Sequence, residues 1–107
     1  MTASPALPAP LSQYFGRTDA SKLLALFTPD ATVEDEGRVH QGTAEISEWL
    51  ERAESAYHPR YRVISADKDG ERVTVAFEVS GTFPGSPATL RQNFVLSGNR
   101  IRRIETL

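Results

Sequence analysis

The sequence predicts an α+β domain, with three N-terminal helices packed on one face of a curved antiparallel sheet. Two observations carry this. Apolar residues in the first half recur at helical spacing, whereas those in the second half alternate with polar ones over successive runs. The breaks between those runs are short and rich in Gly, Pro, Asn and Ser, so consecutive strands are expected to pair as a meander. A chain of 107 residues has room for one core of this kind.

Each element follows from its own residues. Residues 1–10 form a proline-rich lead, expected to be flexible, and a single domain is expected over 11–107. Leu11, Tyr14 and Phe15 mark one face of a short helix. Asp19 is positioned to cap a second helix, whose buried stripe would be Leu23, Leu24, Leu26 and Phe27. Thr28-Pro29 would end it, because the residue before proline avoids the helical region. Residues 31–36 read as a strand, Gly37 as a turn and 38–40 as a short returning strand. Thr43 is the expected cap of a third helix reaching about Tyr57, with Ile46, Trp49, Leu50, Ala53 and Tyr57 on its buried face. Glu48 and Arg52 are spaced to pair on its wet face. Strands are then expected over 60–67, 72–83, 88–96 and 100–107. Ile101 and Ile104 are out of phase in the last, which calls for a bulge or a change of face.

Composition excludes several classes of chemistry. The chain has no cysteine, which removes disulfides, zinc–thiolate sites and thiol nucleophiles and makes a reducing, cytoplasmic setting the simpler expectation. The first ten residues have neither a basic start nor an apolar run, so no signal peptide or membrane segment is expected there. A net charge of −2 argues against a nucleic-acid surface, and Arg100, Arg102 and Arg103 read as a solvated strand edge. The two histidines, His40 and His58, lack metal-ligand spacing, and no phosphate-binding loop or nucleophile elbow occurs. No metal and no cofactor are therefore expected.

A parity in the acidic strand points to a site. If 31–36 is extended, Ala31, Val33 and Asp35 share one face, and Thr32, Glu34 and Glu36 share the other. Asp35 then ends an apolar row, where low polarity makes a carboxylate a better general base. The alternative is a frayed strand end with three solvated acids. Two further polar groups fall on apolar faces. Gln92 is in phase with Leu90, Phe94 and Leu96, and Tyr14 lies on the inner side of the first helix. His40, five residues beyond Asp35 and across a turn, could form a carboxylate–imidazole pair with it. Trp49, Phe77, Phe94, Val33 and Leu90 are either plain core or the lining of a pocket for an apolar ligand.

The segment FTPDATVEDEG, followed by HQGTAEISEWL, resembles the NTF2-like superfamily, and in particular SnoaL-like polyketide cyclases and ketosteroid isomerases. The motifs DEG, HQG, SGTFPGSP and the final I-x-x-I-E resemble a subgroup of small SnoaL-like proteins whose activity is unassigned. The resemblance spans about residues 11–107 and implies a cystatin-like cone of helices on a curved sheet. It also implies roles. ATVED resembles the isomerase segment bearing the catalytic base, which places Asp35 there. The oxyanion tyrosine of the first helix corresponds to Tyr14 if three residues are gapped, and to Leu11 if they are not. Gln92 stands where the isomerase has a protonated aspartic acid.

Two functional readings follow. In the first, a small hydrophobic molecule binds in an internal pocket, with isomerase- or cyclase-type acid–base chemistry by Asp35, Tyr14, His40 and Gln92. In the second, the cone is filled and the domain is a non-catalytic binding or dimerisation module, with Asp35 paired to an arginine such as Arg38. The resemblance implies a homodimer through the outer sheet face, with Thr74, Thr82, Thr89 and Val95 compatible with it. Neither reading calls for nucleic acid or membrane.

Overall fold

The alternating periods of the sequence resolve into three helices and six strands in a computed structural model, which describes residues 7–16 and 20–107. Most of the proline-rich lead and the Asp19 cap lie outside the described residues. The elements are α1 (Ala9–Gly16), α2 (Ala20–Leu24), β1 (Phe27–Asp35), β2 (Arg38–Gln41), α3 (Gly42–Tyr57), β3 (Arg60–Asp69), β4 (Arg72–Ser80), β5 (Ala88–Ser97) and β6 (Arg100–Thr106). The sheet order is β2-β1-β6-β5-β4-β3. The α+β class holds, but the sheet is mixed: β1 and β6 run parallel, and every other pair is antiparallel.

Register shifts interrupt the ladders between Val63 and Ser65, between Phe27 and Thr32, and between Val95 and Leu96. Such irregularities bend strands and help close a sheet around a core. The last of them resolves the phase problem in β6. Leu96 faces Ile101 while Val95 faces Arg103, so one extra residue is absorbed and both Ile101 and Ile104 are buried.

The inner face carries Ala31 and Val33 of β1, Val73, Val75 and Phe77 of β4, and Phe94 of β5. Helix α1 presses Tyr14 and Phe15 onto it. The ring of Phe15 lies 5.1 Å from that of Phe77, and the ring of Tyr14 lies 5.6 Å from that of Phe94. Pro10 is tolerated because it sits in the first turn, where its missing N–H has no intrahelical partner. The outer face bears a polar ladder: Thr74 donates to Asn93 at 2.7 Å, Asn93 donates to Glu105 at 3.3 Å, and Arg103 bonds Glu34 at 2.9 Å.

Several boundaries differ from the sequence expectation. Leu26 and Phe27 lie beyond α2. Phe27 instead opens β1 opposite Ile101, whose N–H donates to the Leu26 carbonyl at 2.7 Å. Thr43 lies inside the first turn of α3; Gln41 is the cap residue, and Glu45 reaches back to accept its backbone N–H at 3.0 Å. Strand β4 stops at Ser80 rather than Phe83. Beyond it, Thr82 donates its N–H to the Tyr57 carbonyl at 2.8 Å and its hydroxyl to the Ala56 carbonyl at 3.2 Å. This staples the loop to the end of α3, so Thr82 lies off the outer sheet face. Glu48 and Arg52 pair as expected, at 2.6 Å, but both are exposed and add little stability.

Candidate functional site

The parity of β1 decides where its acids go. Ala31 and Val33 are fully buried, Asp35 follows them on the inner face and is half-buried, and Glu34 points outward to Arg103. The turn after Asp35 is two residues long, with Glu36 at φ 51° and Gly37 at φ 75°. Both angles are left-handed, as a tight hairpin between right-twisted strands requires. That hairpin sets Asp35 opposite Arg38 and Val33 opposite His40.

Between α3 and the inner sheet face lies a half-open hollow of about 610 Å³. Its roof is Trp49, Ala53 and Tyr57 of α3, and its floor is Phe77 and Val79 of β4 with Ala88, Leu90 and Gln92 of β5. Tyr14 and Tyr61 close one flank, and Phe83 and Pro84 of the stapled loop another. Asp35, Glu36, Arg38, His40 and Arg52 line its charged side. A shallower hollow of about 360 Å³ shares Arg38, His40, Trp49 and Arg52 with it. Arg52 is engaged by Glu48, whereas Arg38 has no ion-pair partner among the described residues.

Trp49 organises the acidic corner. Its indole Nε1–H donates to Asp35 Oδ2 at 3.3 Å, and its ring lies 6.0 Å from the His40 imidazole, tilted by 32°. Oδ1 of Asp35 has no hydrogen-bond partner among the described residues. A carboxylate held by one oxygen and uncommitted at the other is oriented and can still accept a proton. Among the described residues, no cluster of three His, Asp or Glu side chains is arranged to hold a metal, and no helix is long and apolar enough to cross a membrane.

Residues 11–103 match the SnoaL-like domain family. The chain belongs to this family. A candidate polyketide cyclase from Sinorhizobium meliloti is 38% identical to this SnoaL-like chain, with a TM-score of 0.89 over 94% of this chain and 95% of that one. A Catenulispora acidiphila protein of ketosteroid isomerase-like fold, solved with trimethylamine, is 20% identical; its TM-score is 0.81 over 95% of this chain and 86% of its own. SalBIII, an epoxide hydrolase/cyclase-like enzyme with a role in pyran ring formation in salinomycin, is also 20% identical, with a TM-score of 0.81 over 92% and 86%. The last two establish the shared NTF2-like fold. No curated protein matches the SnoaL-like chain in sequence.

The structure gathers Asp35, Tyr14, His40 and Gln92 around one hollow. It does not pair Asp35 with His40: no hydrogen bond or ion pair joins them, and Trp49 contacts both. Nor does Asp35 pair with Arg38. Of the five residues read as pocket lining, Trp49, Phe77 and Leu90 line the hollow. Phe94 and Val33 are fully buried core outside that lining. Gln92 is 5% exposed; its Nε2 donates to Thr106 Oγ1 at 2.9 Å, and its Oε1 has no partner among the described residues. Sequence reasoning missed the Trp49–Asp35 bond. The signal was available, because an indole N–H on a buried helix face needs an acceptor and Asp35 is the inward acid.

Proposed function

We propose that this SnoaL-like chain binds a small, largely apolar molecule beneath α3 and removes a proton next to a carbonyl with Asp35. The observation that carries the reading is Asp35 itself, on the wall of a ligand-sized hollow with Oδ2 held by Trp49 and Oδ1 uncommitted. A volume of about 610 Å³ lies within the range of small-molecule sites. Oδ1 takes the proton from the α-carbon, and the C–H electron pair forms the enolate, moving its charge onto the carbonyl oxygen. Tyr14, which lines the same hollow, donates its hydroxyl to that oxygen. Return of the proton to another carbon gives isomerisation, and attack by the carbanion on a second carbonyl gives cyclisation. The chemistry needs no cofactor.

The proposal includes a homodimer through the outer sheet face, where Thr74, Thr89 and Val95 lie. Light scattering should give twice the chain mass of 11.8 kDa; a mass of one chain contradicts it.

The catalytic part is tested with β-tetralone, an apolar ketone with exchangeable α-protons. Its deuterium exchange in D₂O, followed by NMR, should be accelerated by the wild-type protein. Asp35→Asn should lose that acceleration by about 100-fold or more while keeping its affinity for the ketone. Equal exchange by the two proteins would overturn the reading.

A further inference from the structure

The roof and the floor of the hollow give it a direction and a length. Trp49, Ala53 and Tyr57 line it from α3 and stand four residues apart, so they form one stripe along the helix. At a rise of about 1.5 Å per residue, that stripe is about 12 Å long. Ala88, Leu90 and Gln92 line the hollow from alternate positions of β5. Four residues of strand cover about 13 Å, so roof and floor agree. The hollow is a trough that runs along α3 and β5.

Its two ends differ in chemistry. At the Trp49 end the indole holds Asp35. Gln92 lies at the same level of the sheet: it pairs with Thr106, and the preceding Glu105 pairs with Glu34, the neighbour of Asp35. At the Tyr57 end stands Phe83, its ring edge-on to that of Tyr57 with centroids 5.7 Å apart. Ala88 belongs to this end, since it pairs with Val79 where β4 runs out into the loop that carries Phe83. Val79, Phe83, Pro84 and Ala88 offer no polar side chain there.

Phe83 is held in place by its own loop. The Gly81 N–H donates to Ser86 Oγ at 3.0 Å, which closes the loop on itself. Thr82 ties it to the Ala56 and Tyr57 carbonyls at the end of α3. The Phe83 ring folds back over Gly81, with one ring carbon 3.3 Å from where a Cβ would stand.

We infer that Phe83, braced by Tyr57, is the end stop of the trough and limits the length of ligand that it accepts. The polar end of the ligand lies by Asp35 and its apolar tail points toward Phe83. A span of about 12 Å holds a tail of roughly ten carbons in an extended chain. Phe83 is thus a specificity-determining residue. The inference rests on the hollow being a ligand site and is independent of whether Asp35 is catalytic.

Fluorescence titration with 2-alkanones, from 2-hexanone to 2-tetradecanone, tests it through Trp49, the sole tryptophan. Each added methylene should tighten binding about fourfold while the tail still has trough to fill. The gain should stop near 2-undecanone, where the tail meets Phe83. Phe83→Ala should move that break at least two carbons longer. Ala88→Leu, which fills the same end, should move it at least two carbons shorter, and it decides the matter together with the wild-type series if Phe83→Ala does not fold. Affinity that rises steadily through 2-tetradecanone in the wild type, or a break that stays in place in either folded variant, would overturn the inference while leaving the hollow a binding site. Binding of no alkanone would overturn the ligand site and the inference together.

Discussion

The indole Nε1–H of Trp49 donates to Oδ2 of Asp35 at 3.3 Å, joining the middle of α3 to the end of β1. One contact thereby couples the packing of the helix to the aim of the acid. Trp49→Phe keeps an aromatic ring beside His40 and removes the donor. It should lower stability by about 0.5–1.5 kcal/mol in urea denaturation. It should also slow β-tetralone exchange several-fold, because the carboxylate loses its orientation. Unchanged exchange in a less stable variant would restrict Trp49 to a structural role.

Ala53 is a small side chain in the roof of the hollow. Ala53→Phe places a ring in open space, so the core should not be overpacked. Ligand binding should fall by tenfold or more, with stability kept within about 1 kcal/mol. Trp49 is the sole tryptophan of the chain and lines the same hollow, so its fluorescence reads the binding step directly. Full retention of the ligand-induced change in Ala53→Phe would place the ligand elsewhere.

Glu36 sits at φ 51° in the hairpin that carries Asp35. Asparagine adopts this left-handed region more readily than glutamate does. Glu36→Asn should raise stability by about 0.5–1 kcal/mol, read as a higher urea midpoint. A lower midpoint would mean that the Glu36 side chain stabilises the fold in a way the turn geometry does not reveal.

Gly81 is constrained by space rather than by φ. A Cβ there would run into the backbone carbonyl of Tyr57, the group that accepts the Thr82 N–H. Gly81→Ala should therefore prise the loop from α3 and cost about 1–3 kcal/mol of stability. Phe83, which follows in that loop and packs on Tyr57 with ring centroids 5.7 Å apart, should lose its place in the hollow. A variant as stable as the wild type would contradict this account of the staple.

The inward placement of Asp35 was legible because it needs only the two-residue rhythm of one strand. The Ile46 and Leu50 part of the α3 stripe and the β6 bulge were legible for the same local reason, whereas Tyr57, at the last turn of α3, is exposed rather than buried. Features set by distant partners were not. Leu26 and Phe27 fit the spacing of a helix as well as that of a strand, and what decides is parallel pairing with Ile101 at the far end of the chain. Phe83 keeps the phase of β4, but Gly81 and Thr82 turn away to meet α3. Asp35 and His40 are close in sequence, yet the hairpin register places His40 opposite Val33 instead. The hollow itself is a property of how α3 stands off the sheet, which no local pattern encodes.

The most direct test is a crystal structure of the protein with β-tetralone bound. The account predicts the ketone beneath α3, its α-carbon about 3–3.5 Å from Asp35 Oδ1, the separation of reacting atoms in a productive complex. A ketone bound outside the hollow, or inside it with the α-carbon turned away from Asp35, would contradict the account.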